Sequence, residues 1–108
     1  MAQDFKRYIA RNVGTSEVAI HTSDSNDTLV GINLANTTTS QITVDVFLTV
    51  SSNDHYLVKD APIPAASALQ VLDGGAKIVL QSGDALKVLS SAADSVDVWV
   101  SAVDAISS

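Results

Sequence analysis

The feature that most constrains the fold is an alternation of apolar and polar residues with a period of two. It is clearest at residues 42–50, where Ile42, Val44, Val46, Leu48 and Val50 alternate with Thr43, Asp45, Phe47 and Thr49. Successive side chains of a β-strand point to opposite faces of a sheet, so this segment predicts a strand with one apolar and one mixed face. No stretch of ten residues carries the 3.6-residue stripe of an amphipathic helix. The chain is therefore predicted to be all-β.

A second long alternation lies near the C-terminus. Val96, Val98, Val100 and Ala102 form its apolar stripe, and Asp97, Trp99, Ser101 and Val103 alternate with them. Trp99 is thus predicted to point away from the apolar stripe. Burying an indole side chain is favourable by several kcal/mol relative to leaving it in water. We therefore expect a neighbouring loop or subunit to cover Trp99.

Shorter apolar segments account for the rest of the predicted strands: 5–13, 17–22, 28–35, 55–59, 67–72, 76–80 and 85–90. Clusters of the turn-forming residues Gly, Asn, Asp and Ser separate them. Short strands separated by such regularly spaced turns are typical of a sandwich or small barrel. Pro62 and Pro64 remove two backbone donors, so residues 61–66 are predicted to form an edge segment or a crossing between sheets. We expect one domain, an all-β sandwich of about seven to nine strands.

The turn at residues 81–84 has the residue types that a tight turn requires. Gly83 can adopt a positive φ and Asp84 can bond the nearby backbone. We expect this turn to fix the register of a hairpin between residues 77–80 and 85–89. The Gly74-Gly75 pair is likewise interpreted as a hairpin turn rather than a phosphate loop, because a phosphate loop needs a helix behind it.

The composition favours assembly. Apolar residues make up 46% of the 108 residues and charged residues 17%, against about 25% charged residues in an average globular domain. So weakly charged a surface predicts self-association, as a trimer or larger species. The absence of cysteine excludes disulfide scaffolds and cysteine-ligated metals. With no membrane-length apolar run and no leader-like segment, we expect a soluble, unprocessed chain.

The charge is unevenly placed. Residues 1–11 hold three of the six basic residues and one acid, a local charge of +2, which leaves −8 for the remainder. An acidic body disfavours nucleic-acid binding. A basic leading segment can seat one copy on its neighbour, although a solvated edge strand explains it equally well. The hypothesis is that residues 1–13 form an N-terminal arm or edge strand and residues 14–108 the sandwich domain.

The candidate interface residues come from this segment and from the outward tryptophan. A strand at residues 5–11 would place Lys6 and Tyr8 on one face, and Phe5, Arg7, Ile9 and Arg11 on the other. The assembly interface is predicted to include Lys6, Arg7, Tyr8, Arg11 and Trp99. Deleting residues 1–11 is predicted to leave a folded domain that no longer assembles.

Nothing in the sequence supports catalysis. His21 and His55 have no metal-ligand spacing, and no Gly-x-Ser-x-Gly elbow is present. Asp24, Asn26 and Asp27 could offer oxygen ligands to Ca²⁺, but local Asx-turn bonding explains them more simply. We therefore predict no catalytic, cofactor-binding or metal site, and no enzyme activity.

The order of strand and turn residues gives a wider pattern, strongest in the C-terminal half. It comprises Tyr56-Leu57-Val58-Lys59-Asp60-Ala61-Pro62-Ile63-Pro64, Leu69 to Asp73, Lys77-Ile78-Val79-Leu80, Gly83-Asp84-x-Leu86-x-Val88 and Ser95-Val96-Asp97-Val98, with Asn12-Val13-Gly14-Thr15 and Gly31-Ile32-Asn33-Leu34-Ala35-Asn36 earlier. This pattern resembles small virion proteins of tailed bacteriophages, including those of cyanobacterial and marine phages. The resemblance implies an Ig-like or jelly-roll β-sandwich assembled in many copies on the head, neck or tail, without catalytic residues.

Two functions follow from these observations. The first is a non-enzymatic virion component that decorates or cements the capsid, or builds the neck or tail. Its partners would be other copies of itself and phage capsid or tail proteins, with no nucleic acid and no membrane insertion; it would be assembled in the host cytoplasm and reside in the virion. The alternative is a carbohydrate- or host-surface-binding module of a tail or fibre, for which the chain offers only five aromatic residues.

Overall fold

The computed structural model describes residues 4–23, 27–72 and 78–104 and contains nine strands in this part of the chain. The strands are β1 (Asp4–Val13), β2 (Val18–Thr22), β3 (Asp27–Asn36), β4 (Ile42–Val50), β5 (Asn53–Ile63), β6 (Ala68–Leu72), β7 (Ile78–Leu80), β8 (Ala85–Ser90) and β9 (Val96–Asp104). The all-β prediction is confirmed. The predicted bounds of β4 and β8 match the observed ones, whereas β5 is longer than the predicted 55–59 at both ends: it begins at Asn53 and continues through Pro62.

The strands form two antiparallel sheets with a nested pairing. Sheet A has the order β1-β9-β3-β6, with β7 also paired to β3, and sheet B has the order β2-β8-β4-β5. Pairing spreads outward from the β4–β5 hairpin, so that β3 pairs with β6 and β7, β2 with β8, and β1 with β9. A long hairpin rolled into two four-stranded layers has this order when β6 and β7 count as one interrupted strand. It is the jelly-roll form of the predicted β-sandwich.

The core lies between the two sheets and contains the predicted apolar stripes. Fully or almost fully buried residues on β3 and β9 face those on β4 and β8: Leu29, Ile32, Leu34, Val96, Val98, Val100, Ile42, Val44, Val46, Leu86 and Val88. Because the side chains of each strand alternate between faces, burying these residues turns their neighbours outward. Trp99 is one of these outward residues.

The prolines occupy the position that their chemistry predicts. Pro62 lies near the end of β5, the edge strand of sheet B, opposite Thr43. Its missing donor costs nothing there, because the outer edge of β5 has no neighbouring strand in the described chain. After Ile63 the chain passes through Pro64 into β6 of sheet A. The prediction of an edge and a crossing is therefore confirmed.

Asn36 forms hydrogen bonds to the segment that passes from β5 of sheet B to β6 of sheet A. Its buried amide Nδ2 donates to the carbonyls of Ser40, Ile63 and Pro64 at 2.8, 3.0 and 3.1 Å. Its Oδ1 accepts from the backbone N and the hydroxyl of Thr38 at 2.9 and 2.7 Å. One side chain thus satisfies backbone groups at the end of β5 and in the loop before β4.

The predicted hairpin around residues 81–84 is wrong. β7 pairs with β3 in sheet A and β8 pairs with β4 and β2 in sheet B, so the turn carries the chain from one sheet to the other. Gly83 does adopt the predicted positive φ, at 92°. Asp84 bonds back to the turn, with Oδ2 accepting from the backbone N of Gln81 at 2.9 Å.

The prediction of a Gly74-Gly75 hairpin is also wrong for the strands that flank it. β6 and β7 both run antiparallel to β3 and pair with successive parts of it, so they do not pair with each other. The glycine pair itself lies outside the described residues, as do Asp24 and Asn26.

Replacing Gly83 with alanine is expected to lower the free energy of unfolding by about 1–2 kcal/mol. A Cβ at this position meets no atom within 4 Å, so the cost comes from the left-handed backbone alone. Denaturant unfolding of Gly83→Ala beside Ser82→Ala, an exposed neighbour in the same turn, checks this. Equal stabilities of the two variants would contradict it.

Candidate functional site

On the outer face of sheet B, neighbouring side chains cover the aromatic ring of Phe47. Phe47 points outward from β4, away from the core, yet is only 1% exposed. The ring of Tyr56 on β5 packs against it at 5.0 Å between centroids. The Lys59 ammonium lies 4.7 Å from the Tyr56 ring and 3.8 Å from Oδ2 of Asp45. Phe47 is therefore inaccessible, and the aromatic ring that sheet B exposes is that of Tyr56, which is 45% exposed.

The outer face of sheet A has two adjacent apolar side chains that are half exposed. Trp99 on β9 is 50% exposed and Ile9, its partner on β1, is 52% exposed. On the other side, Asn33 of β3 is the register partner of Trp99, and Gln70 of β6 is the partner of Asn33. Ile9, Trp99, Asn33 and Gln70 therefore form one row across four strands.

Two arginines from β1 flank this row. The guanidinium of Arg7 lies over the Trp99 ring, 5.6 Å from its centroid. Arg11 lines a shallow groove together with Ile9, Asp97 and Trp99. On the far side of Trp99, Asn33 and Gln70 border a second groove. The name Trp99 face is used below for Arg7, Ile9, Arg11, Asn33, Gln70 and Trp99.

The cations of β1 differ from the other described cations in their surroundings. Lys87 pairs with Glu17 at 3.3 Å, and Lys59 pairs with Asp45. Within the described part of the chain, Lys6, Arg7 and Arg11 have no carboxylate at ion-pair distance. The positive charges of Lys6, Arg7 and Arg11 at the edge of sheet A are thus not paired with a carboxylate of the described residues.

The structure brings together three of the five predicted interface residues. Arg7, Arg11 and Trp99 share the Trp99 face, and Lys6 is exposed on the same strand. Tyr8 lies elsewhere: it is half-buried against the core, and its ring stacks on His21 at 3.8 Å between centroids. This placement follows from the alternation of β1, which turns Tyr8 inward when Arg7 and Ile9 point outward.

Sequence reasoning missed Asn33 and Gln70 as members of this face. Each is an ordinary polar residue within its own strand. Their proximity to Trp99 arises from pairing between β9, β3 and β6, segments far apart along the chain. A signal that could have found them is the outward parity of Asn33 between buried Ile32 and Leu34.

A second polar cluster lies inside the sandwich near Tyr8. The Asp27 carboxylate is fully buried, and its Oδ2 lies 2.6 Å from Nε2 of His21 and accepts from the Ser23 hydroxyl at 3.0 Å. Asp27 begins β3 rather than serving as the turn residue that the sequence predicted. His21 belongs to β2 and Tyr8 to β1, so this cluster joins both sheets at one side of the molecule.

The described residues offer no metal or membrane-spanning arrangement. Residues 4–23, 27–72 and 78–104 contain no group of three or more His, Asp or Glu side chains placed to hold a metal ion. None of the elements in these ranges is a helix of the length and hydropathy needed to cross a membrane. His55, the other histidine, is exposed on β5.

Comparison with known proteins finds no matching family model, no matching curated protein and no matching solved structure.

Proposed function

We propose that this protein is a non-enzymatic structural component of a bacteriophage virion, a multi-copy decoration, cement, neck or tail protein that assembles through the Trp99 face. The observation that carries the proposal is the difference between the two outer faces. Sheet B exposes the ring of Tyr56, which packs on the buried Phe47, whereas sheet A leaves two large apolar side chains, Trp99 and Ile9, half exposed in adjacent positions.

The energetics of that difference favour a binding role. Burying a large apolar side chain stabilises a complex by about 1.5–3 kcal/mol relative to leaving it exposed. Trp, Tyr and Arg are enriched at the centres of protein interfaces, and two arginines, Arg7 and Arg11, flank Trp99. Because Trp99 and Ile9 are already half buried, a partner that covers them gains about half of this energy from each side chain.

The virion setting is supported by the resemblance to phage virion proteins and by the low charge of the chain. A jelly-roll sandwich is an architecture that capsid proteins use, although fold alone does not assign function. The four strands of sheet A that carry the Trp99 face are paired in one continuous row. Such a surface suits repeated contact with a shell or with further copies of the chain.

Quantitative mass spectrometry of purified phage particles tests the proposal. We expect the chain in many copies, at a fixed ratio to the major capsid or tail protein and retained through density-gradient purification. A non-structural protein of the same phage serves as the control for contamination. Its presence at trace level only, equal to that control, would contradict the proposal.

A second candidate function, carbohydrate or host-surface binding, is favoured by one observation. Asn33 and Gln70 place two amides in the same row as the Trp99 ring, and sugars bind to an aromatic platform with polar neighbours. Trp99 is the only tryptophan of the chain. Saturable changes of its fluorescence with host polysaccharide, lost in Asn33→Ala, would favour this function over protein assembly.

A further inference from the structure

The four edges of the two sheets are not equally open to another strand. β5 carries Pro62 and a positive φ of 53° at Asp60, both of which disturb a regular edge. β2 has five residues and a register shift, and the last edge of sheet A is divided between β6 and β7. These three edges are therefore poor templates for pairing.

β1 is the regular edge. It pairs with β9 in unbroken register from Asp4 to Ala10, and it contains neither proline nor glycine. Its only irregularity comes at the far end, where Asn12 has a φ of 57°. Its outer side has no neighbouring strand within the described ranges. Backbone donors and acceptors of alternate residues from Asp4 to Ala10 thus face outward, away from β9.

The charge on this edge selects among strands that could pair with it. Lys6, Arg7 and Arg11 lack described ion-pair partners, and like charges on neighbouring strands destabilise a sheet. A second copy of β1 would bring these cations close to their own equivalents. An acidic strand would instead supply the missing counter-ions.

The outer face of β1 also has a side-chain order that a partner strand can match. Arg7, Ile9 and Arg11 give a basic, apolar, basic sequence at every second residue, beside Trp99. A neighbouring strand with acidic, apolar, acidic residues on the same face would place unlike charges opposite each other. Its central apolar residue would extend the Ile9–Trp99 row.

We propose that β1 binds an extended acidic segment of a partner protein as an additional strand of sheet A. This inference rests on the proposed function and names the chemistry of a partner strand that would extend the Trp99 face at its β1 edge. Backbone pairing along β1 supplies affinity, and the alternating side chains supply specificity. Repulsion between copies of β1 keeps the edge available until that partner is present.

The test uses the full-length, ¹⁵N-labelled protein and a synthetic peptide, Thr-Glu-Thr-Val-Thr-Glu-Thr, blocked at both ends. We expect saturable amide shifts at residues 5–11 and at the Trp99 indole, and no such shifts along β5 or β2. The charge-reversed peptide, with Lys in place of Glu, is expected to bind at least tenfold more weakly. The acidic peptide with N-methyl groups on Val and on the preceding Thr loses a donor on each edge and is expected not to bind.

A charge-matched pair of variants separates local recognition from net charge. Arg7→Gln with Arg11→Gln makes the chain more negative by two charges, as does Thr39→Glu with Ser82→Glu at two exposed loop positions. The first pair is expected to weaken binding of the acidic peptide at least tenfold, and the second pair less than threefold. Equal effects of the two pairs would overturn the role of the β1 arginines.

Three other results would overturn the proposal: no amide shifts with the acidic peptide, equal binding of the charge-reversed peptide, or concentration-dependent pairing of β1 between copies of the free protein. The proposed function is tested separately, by the copy number of the chain in purified phage particles. If the chain is present in many copies there but the peptide fails, the assembly role stands and the β1 inference falls.

Discussion

Replacing Asp27 with alanine is expected to lower the free energy of unfolding by about 3 kcal/mol, because removing the buried carboxylate leaves the buried groups that bond to it without that partner. Asp27 is fully buried, and its Oδ2 is bonded by His21 and Ser23. Without the carboxylate, the imidazole of His21 loses its partner in a largely buried position. The loss is felt in both sheets because His21 lies on β2 and stacks on Tyr8 of β1.

Denaturant unfolding of Asp27→Ala measures this cost. The matched control is Asp54→Ala, which removes an exposed carboxylate with one hydrogen bond from the Thr49 hydroxyl at 2.8 Å. An exposed contact of this kind is worth less than about 1 kcal/mol. Asp27→Asn, which keeps one oxygen for His21, is expected to fall between the two. A loss for Asp27→Ala no larger than that of Asp54→Ala would show that the cluster does not hold the sheets together.

Replacing Trp99 with alanine is expected to weaken association of the protein with itself or with its particle partner by about 2 kcal/mol, roughly 30-fold. The same change should lower the free energy of unfolding by less than about 1 kcal/mol, because half of the side chain is already in water. Sedimentation velocity over a concentration series measures self-association, and co-sedimentation with particles measures partner binding. The wild-type protein is expected to form a trimer or larger species, as its composition predicts.

Tyr56→Ala is the matched control for the tryptophan variant. Tyr56 is an exposed aromatic residue on the outer face of the opposite sheet, where it covers Phe47. Its removal should lower the free energy of unfolding, because it exposes Phe47 to solvent. It should leave the association of the protein unchanged. If Tyr56→Ala weakens association as much as Trp99→Ala does, the Trp99 face is not the distinctive contact.

Much of the fold could be predicted because the alternation of apolar and polar residues within a strand indicates which of its faces is buried. The alternation at residues 42–50 and 96–103 predicts which side chains enter the core, and it also predicts the outward direction of Trp99. Pro62 predicts an edge because a missing donor is tolerated only there. Each of these inferences depends on a single strand and its local chemistry.

The parts that could not be predicted depend on which strands pair. The residues around Gly83 have the chemistry of a tight turn, but the same turn can close a hairpin or pass between sheets. Only the pairing of β3 with β7 and of β4 with β8 decides between them. The row from Ile9 to Gln70 and the burial of Asp27 arise in the same way, from contacts between distant segments.

The status of the N-terminal segment combines both kinds of information. The sequence predicts an arm or edge strand over residues 1–13, and the described part of it forms β1 at the edge of sheet A. Deletion of residues 1–11 stays a prediction for assembly. Because Tyr8 and Ala10 pack against the core, that deletion is also expected to destabilise the domain. The paired arginine substitutions are therefore the cleaner test of the edge.

The most direct test of the central claim is a cryo-EM map of the phage particle at side-chain resolution. The account predicts many symmetry-related copies of this jelly roll, each with the Trp99 face against a capsid, neck or tail protein or another copy, and with the Phe47 side of sheet B outside that contact. A particle that lacks the chain, or one in which sheet B makes the contact and Trp99 faces solvent, would contradict it.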